Sequence, residues 1–268
     1  MGAEDEDPII VNGEDWKKIN YDLDQDSTKE DFYQIPYSGL AAKEMADTLI
    51  IQVFNDQTAQ SDTFTDSLRT NAETLIKNFA DSQDEHAQEL VASMIDMLNY
   101  GAAAQLAFGY NTDNLANSAL SEDQKKVPAA DTDKMSDNWE SGNGIGYGSN
   151  LELKENIILH IWFKAANVEY AVVTYTDHNG YEIKSEKITN FTDRISNSVK
   201  SIAIDTLVVA DGFEEVTVKF FDAQDNNLGV VKESIESYLK YMLEKDSDSA
   251  PLYNAIAKFI TSSYNYFH

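Results

Sequence analysis

The sequence contains no cysteine, only four prolines and only four histidines in 268 residues. Without cysteine there is neither a disulfide framework nor a thiolate metal site, which suits a cytosolic protein or a secreted one that avoids thiols. The histidines His86, His160, His178 and His268 are scattered, with no His-x-x-x-His pair, so a catalytic metal is not expected. Positive charge is sparse as well: 20 Lys and Arg stand against 47 Asp and Glu, for a formal charge of -27. Such a surface repels a phosphate backbone or an anionic bilayer and excludes nucleic acid as a partner. No apolar run reaches membrane-spanning length, so no membrane insertion is expected. The start, Met1 to Asp7, has neither a basic region nor an apolar signal core, and reads as a fragment of a mature protein whose signal peptide is not seen.

What is present is periodicity. The alternating "DTLIIQVFND" puts Leu49, Ile51 and Val53 on one face of a strand, and "FYQIPYS" before it reads as extended. From Thr65 the period becomes helical, with Leu68, Ala72, Leu75, Ile76 and Phe79 in one stripe. A second helix follows, with capping-box spacing at Ser82 and Glu85, and runs toward Phe108. The polar stretch 121–149, with Pro128 and a glycine cluster, reads as a connector. Beyond it "NIILHIWF" and "EYAVVTYT" are strands, and Asn179-Gly180 is a hairpin signal. Two helices close the sequence, the last opened by Ser249 with Pro251 in its first turn.

The order strands, helices, connector, strands, helices invites comparison of the halves. A shift of 167 sets Leu207 on Leu40, Val216 on Leu49, Val218 on Ile51, Phe220 on Val53 and Ser234 on Ser67. In the last helices the shift is 159, placing Phe259 on Tyr100 and Phe267 on Phe108, so the second helix-helix connection is about eight residues shorter. The expected fold class is α+β, with two related units, each a β-sandwich-like sheet followed by a small helical cluster. Their bounds are 1–120 and 150–268, with 121–149 between, and the first sheet is smaller or borrows strands.

The run Gly101-Ala102-Ala103-Ala104 matches Ile260, Thr261, Ser262 and Ser263, small again except at the first position. It lies inside a helix, where small residues allow close approach, and not in a loop before one, where glycines cradle phosphate. It reads as packing, with Gly109 placed for a left-handed cap.

"MLNYGAAAQLAFGYNTDNLAN", preceded by "LAAKEMADTLIIQVF", resembles a β-then-α module repeated in large secreted and surface proteins of gut Firmicutes. Within that group it is most similar to the starch adherence system proteins of the ruminococcal amylosome. The resemblance covers Leu40 to Asn117 well and the second unit by pattern. It implies a β-sandwich followed by a helical cluster, used in some members to hold α-1,4-glucans between lobes. It carries over no binding residues.

Enzyme signatures fail. "GNGIGYG" holds no G-x-G-x-x-G opening a helix after a strand, and among 47 acidic residues carboxylate pairs arise by chance. Asp22, Asp24 and Asp26 have calcium-loop spacing but lack the Gly at position six and the Glu at position twelve, so a plain solvated acidic turn is preferred and no cofactor is expected. Sugar binding needs only flat aromatic faces and planar polar groups. The expected platform is Trp139 and Tyr147, with Asn138, Asn143 or Asp137 pairing with hydroxyls, and Trp16 as second choice. Trp162 shares a strand face with Ile158 and His160 and reads as core, as do the C-terminal aromatics Tyr253, Phe259, Tyr264, Tyr266 and Phe267. The expected function is a non-catalytic, secreted or cell-surface carbohydrate-binding module for starch-type α-glucan, with the site near the junction of the units. The alternative is a structural or adhesive spacer among other domains of a larger surface complex, binding no sugar.

Overall fold

The computed structural model describes residues 17–21, 30–34, 40–55, 60–154, 156–196 and 198–268. Trp16 and the acidic turn at Asp22, Asp24 and Asp26 lie outside them. Chain contacts group into two units, residues 1–39 and 40–268, so the sequence bounds at 120 and 150 do not mark a break in packing. In the first unit β1 (Lys17–Tyr21) pairs antiparallel with β2 (Glu30–Gln34), Lys17 opposite Gln34.

The second unit is α+β. A 3₁₀ turn, Ala42–Glu44, leads into the antiparallel hairpin β3 (Leu49–Asn55) and β4 (Gln60–Asp66). Helices α1 (Leu68–Phe79) and α2 (Glu85–Phe108) follow. Then come β5 (Glu140–Ser141), β6 (Gly146–Leu153), β7 (Ile157–Lys164), β8 (Tyr170–Thr176), β9 (Glu182–Lys184), β10 (Thr192–Ser196) and β11 (Val199–Ile204). A 3₁₀ turn, Val209–Asp211, precedes β12 (Val216–Phe221), β13 (Asn227–Glu233), α3 (Ile235–Lys245) and α4 (Ala250–Phe267). Two sheets, ordered β10-β11-β7-β6 and β5-β13-β12-β8-β9, pack face to face. Ile157, Leu159, Ile161 and Phe163 of β7 fill the interior with Val173, Val218, Phe220 and Val231. Phe163 sits 4.5 Å from Phe220, centroid to centroid. The alternation of β7 requires this arrangement, since its odd positions are all large and apolar.

The repeat is visible as matching elements. Each 3₁₀ turn, hairpin and first helix recurs 167 residues later, down to individual bonds. Glu44 Oε2 accepts from Ala41 N at 3.0 Å, as Asp211 Oδ2 does from Val208 N at 2.9 Å. Arg69 N donates to Met45 O at 2.9 Å, as Glu236 N does to Gly212 O at 3.0 Å. Ser67 Oγ caps α1 through Thr70 N, and Ser234 Oγ caps α3 through Ser237 N, both at 3.0 Å. The sheets differ, however. β12 joins a five-stranded sheet through β8, whereas β3 and β4 pair only with each other among the described residues. The expected first sandwich is therefore absent there.

The length difference is also not where the sequence suggested. α1 is one residue longer than α3, its connection one longer, and α2, with 24 residues against 18, accounts for the rest. The cap of α2 is Asp84 rather than Ser82: Asp84 Oδ1 accepts from His86 N and Ala87 N, while Ser82 Oγ accepts from Asp84 N. A carboxylate at that site satisfies two free donors and meets the positive end of the helix dipole. Gly109 closes α2 at φ 62°, as expected.

The connector is tied down. Ala130 N donates to Asn254 Oδ1 at 2.9 Å, Ser136 N to Glu236 Oε2 at 3.1 Å, and Lys240 Nζ to Met135 O at 3.2 Å. Val127, Met135 and Trp139 pack against the core. Its end is a strand, since β6 begins at Gly146. A Cβ on Gly146 would lie 2.9 Å from both Ser141 Oγ and Val231 Cγ2, so the glycine there serves close approach and not a flexible loop.

Candidate functional site: the outer face of the four-stranded sheet

The even positions of β7 point away from the sandwich interior, and cross-strand register decides what meets them. Trp162 lies opposite Gly148 of β6 and Ser201 of β11, and His160 opposite Asn150 and Ala203. This corrects the reading of Trp162 as core: its indole is half-buried, on the solvent side of an antiparallel sheet covered on its other face. Periodicity separated the two faces, but Ile158 and Trp162 made the outer one look apolar.

The indole is held at its edge. Trp162 Nε1 donates to Asn150 Oδ1 at 2.7 Å, while the Arg194 guanidinium lies over one face of the ring, 5.7 Å from its centroid. Arg194 also donates from Nε to Ser201 Oγ at 2.8 Å and from Nη2 to His160 Nδ1 at 2.9 Å. Arginine can only donate, so Nδ1 is the acceptor and His160 Nε2 donates to Glu152 Oε2, 2.8 Å away. Lys154 Nζ meets Glu152 Oε1 at 2.8 Å. The hydrogen bonds from Lys154 and then His160 hold the Glu152 carboxyl below the usual carboxylate range. Gly148 leaves room, since a Cβ there would meet nothing within 4 Å. The result is a fixed aromatic ring beside open space, with amide, guanidinium and carboxylate groups around it. Such a set can stack on an apolar ring and pair with neighbouring hydroxyls. It is poorly suited to general acid catalysis, which requires a carboxyl pushed upward.

The residues expected to form the site are spread over several elements. Trp139 is packed against the core, and Asn138 Oδ1 accepts from Ser234 Oγ at 3.2 Å, next to the α3 cap. Asp137 is exposed. Asn143 adopts φ 57° and donates from Nδ2 to Leu228 O at 3.1 Å. Tyr147 is 51% exposed at the irregularity of β6, next to Gly148, and so borders the Trp162 face. Another aromatic pair, Tyr170 and Phe221 at 4.8 Å, lies on the outer face of the other sheet, but Lys187 covers the Tyr170 ring at 3.9 Å. Among the described residues no group of three or more His, Asp or Glu could hold a metal ion, and no helix is long and apolar enough to cross a membrane.

Comparison with known proteins gave no matching family, no matching curated protein and no matching solved structure.

Proposed function

We propose that the chain is a non-catalytic carbohydrate-binding module of a secreted or cell-surface protein, and that it holds a starch-type α-1,4-glucan on the outer face of the four-stranded sheet. The observation that carries this reading is the half-buried indole of Trp162, fixed by Asn150 beside the open position of Gly148. The similarity of residues 40–117 to starch adherence modules supports the same ligand class. Tyr147 extends the platform, and Arg194 and Asn150 pair with adjacent hydroxyls. One or two stacked rings in so open a site support binding in the micromolar to millimolar range. Calorimetry with maltoheptaose, with affinity electrophoresis in starch, pullulan and xylan gels, tests it. Heat and retardation specific to α-glucan are expected. No heat and no retardation would leave the spacer reading in its place.

That second reading has its own observation. Ile51 and Phe64, paired across β3 and β4, are 41% and 56% exposed, whereas Val218 and Val231, their counterparts, are fully buried in the sandwich. An apolar hairpin face of this kind suits contact with a neighbouring domain.

A further inference from the structure

The chain after α2 turns back and fills a groove. Gln105, fully buried, donates from Nε2 to Asn114 O at 3.0 Å and accepts at Oε1 from Ala116 N at 2.7 Å. Arg69 Nη1 donates to Asn114 Oδ1 at 2.6 Å, and Asn117 Nδ2 to Asn99 Oδ1 at 2.9 Å. Asn114 Nδ2 reaches Ala46 O at 3.5 Å. Ala116, with no exposed surface, lies 3.0 Å from where a Cβ on Gly101 would stand. Four residues therefore shape the floor: Ala46, Arg69, Asn99 and Gly101. Their counterparts in the second copy are Phe213, Glu236, Lys258 and Ile260, and all four line an open cleft of about 370 Å³ bounded on its far side by connector residues Pro128 to Asp131. The place filled by residues 114–117 in one copy is thus a cavity in the other.

We infer that this cleft receives a turn-forming segment of a partner polypeptide, laid along α3 and α4 as the turn at residues 114–117 lies along α1 and α2. Its chemistry follows from the exchanged side chains. Glu236 stands where Arg69 donates, so the occupant needs a lysine or arginine where residue 114 has an asparagine. Lys258 stands where Asn99 accepts; its Nζ already lies 3.8 Å from Asp96 Oδ2, and a carboxylate where residue 117 has its amide shares that ammonium. Between them only small residues fit, because Ile260 and Phe213 already fill space that Gly101 and Ala46 leave free. The cleft is largely apolar, lined by Met135, Leu239 and Ala257 among others, which suits a peptide better than a sugar. This inference does not depend on the glucan reading.

The test uses the full chain and two fluorescein-labelled peptides, residues 112–120 as they stand, and the same peptide carrying Asn114→Lys and Asn117→Asp. Anisotropy should show saturable binding of the charge-matched peptide below about 1 mM, roughly fivefold or more tighter than the native-sequence peptide. Thr261→Trp, at an exposed position of the cleft wall, should weaken binding about tenfold with unchanged circular dichroism and melting temperature. Glu236→Arg should shift preference toward the native-sequence peptide. Absence of binding by either peptide overturns the inference, as does binding insensitive to Thr261→Trp. Concentration-dependent dimerisation that Thr261→Trp abolishes would overturn it too, by assigning the cleft to a second copy.

Discussion

Tyr100 and Phe259, which the repeat places at equivalent points of α2 and α4, stack on each other with centroids 5.9 Å apart and ring planes 27° apart. A residue that meets its own counterpart is what a two-fold contact produces, here within one chain. Around the pair, Ser93 Oγ and Ser263 Oγ lie 3.2 Å apart and Lys258 Nζ comes to 3.8 Å from Asp96 Oδ2. The four helices thus share one cluster around the α2–α4 contact, which is why the two copies do not separate into independent bodies.

The stacking pair differs by one hydroxyl, and that hydroxyl is misplaced. Tyr100 is 3% exposed, and its Oη has no hydrogen-bond partner among the described residues. Burial pushes the phenol well above its ordinary pKa. Tyr100→Phe, which copies the second repeat, should stabilise by about 1 kcal/mol, since it removes an unsatisfied buried polar atom and keeps the ring. Thermal unfolding should shift upward by roughly 2–4 °C in a chain of this size. A downward shift would mean that the hydroxyl has a partner.

A second pair of positions trades volume across the repeat. In the first copy the helix supplies Gly101 and the turn supplies Met45, whose Sδ would lie 2.7 Å from an added Cβ. In the second the helix supplies Ile260 and the turn supplies Gly212, whose added Cβ would lie 2.5 Å from Ile260 Cγ2. Gly212→Ala should therefore cost about 1–3 kcal/mol by overpacking. Ile260→Ala alone should cost roughly 2–5 kcal/mol, yet partly rescue Gly212→Ala in the double variant, because it removes the Cγ2 and Cγ1 atoms that an added Cβ meets at 2.5 and 2.9 Å. Urea unfolding of the three variants measures the coupling, and simple additivity would show that the turn and the helix do not compete for the same space.

The sequence revealed what local chemistry repeats: the correspondence of Ser67 with Ser234, which the structure shows to be caps, the left-handed Gly109, the odd face of β7, and the small run at Gly101, whose missing Cβ makes room for Met45 and Ala116. It did not reveal features set by partners distant in the chain. Nothing near Trp139 announces that the connector is bonded to α3 and α4 and brings this ring onto the core. Nothing near Trp162 announces that its strand is covered on one face only. Cap choice in "SQDE" was ambiguous because each of its four residues carries a side-chain oxygen that can accept a hydrogen bond, and geometry selects Asp84. The cleft beside Ile260 was invisible, because it exists only where the second copy departs from the first.

Glu233 provides a pH test of the α3 junction. The residue is 3% exposed and accepts from Ser149 Oγ, Ser237 Oγ and Ser234 N. Desolvation nevertheless dominates and raises its pKa above 4.5. The folded state therefore holds the proton more tightly than the unfolded one, so this group's contribution is fully present below 4.5 and is lost as pH rises through the folded value. Glu233→Gln removes the titration and keeps the shape. Its stability relative to wild type, from urea unfolding, should be more favourable at about pH 7 than at about pH 5. An equal difference at both would show that Glu233 ionises as easily folded as unfolded.

The sharpest test of the functional reading sets the two tryptophans against each other, because Trp139 packs against the core and Trp162 lies on an outer sheet face. Trp139 packs against the core, so Trp139→Ala should cost roughly 2 kcal/mol of stability, somewhat less than truncation of a fully buried ring, and leave glucan affinity unchanged in the folded molecules. Trp162 stands half-buried on the outer face with its edge bonded to Asn150, so Trp162→Ala should weaken maltoheptaose binding by about 1–2 kcal/mol, roughly 5–30-fold, with a smaller effect on folding. Asn150→Ala should retain part of the affinity, since the ring survives but its edge is no longer held. Calorimetry on variants whose melting curves show a folded state gives both quantities from one preparation. Should Trp139→Ala abolish binding at full stability while Trp162→Ala leaves it intact, the sugar platform lies on the connector and the outer face of the four-stranded sheet is only a solvated surface.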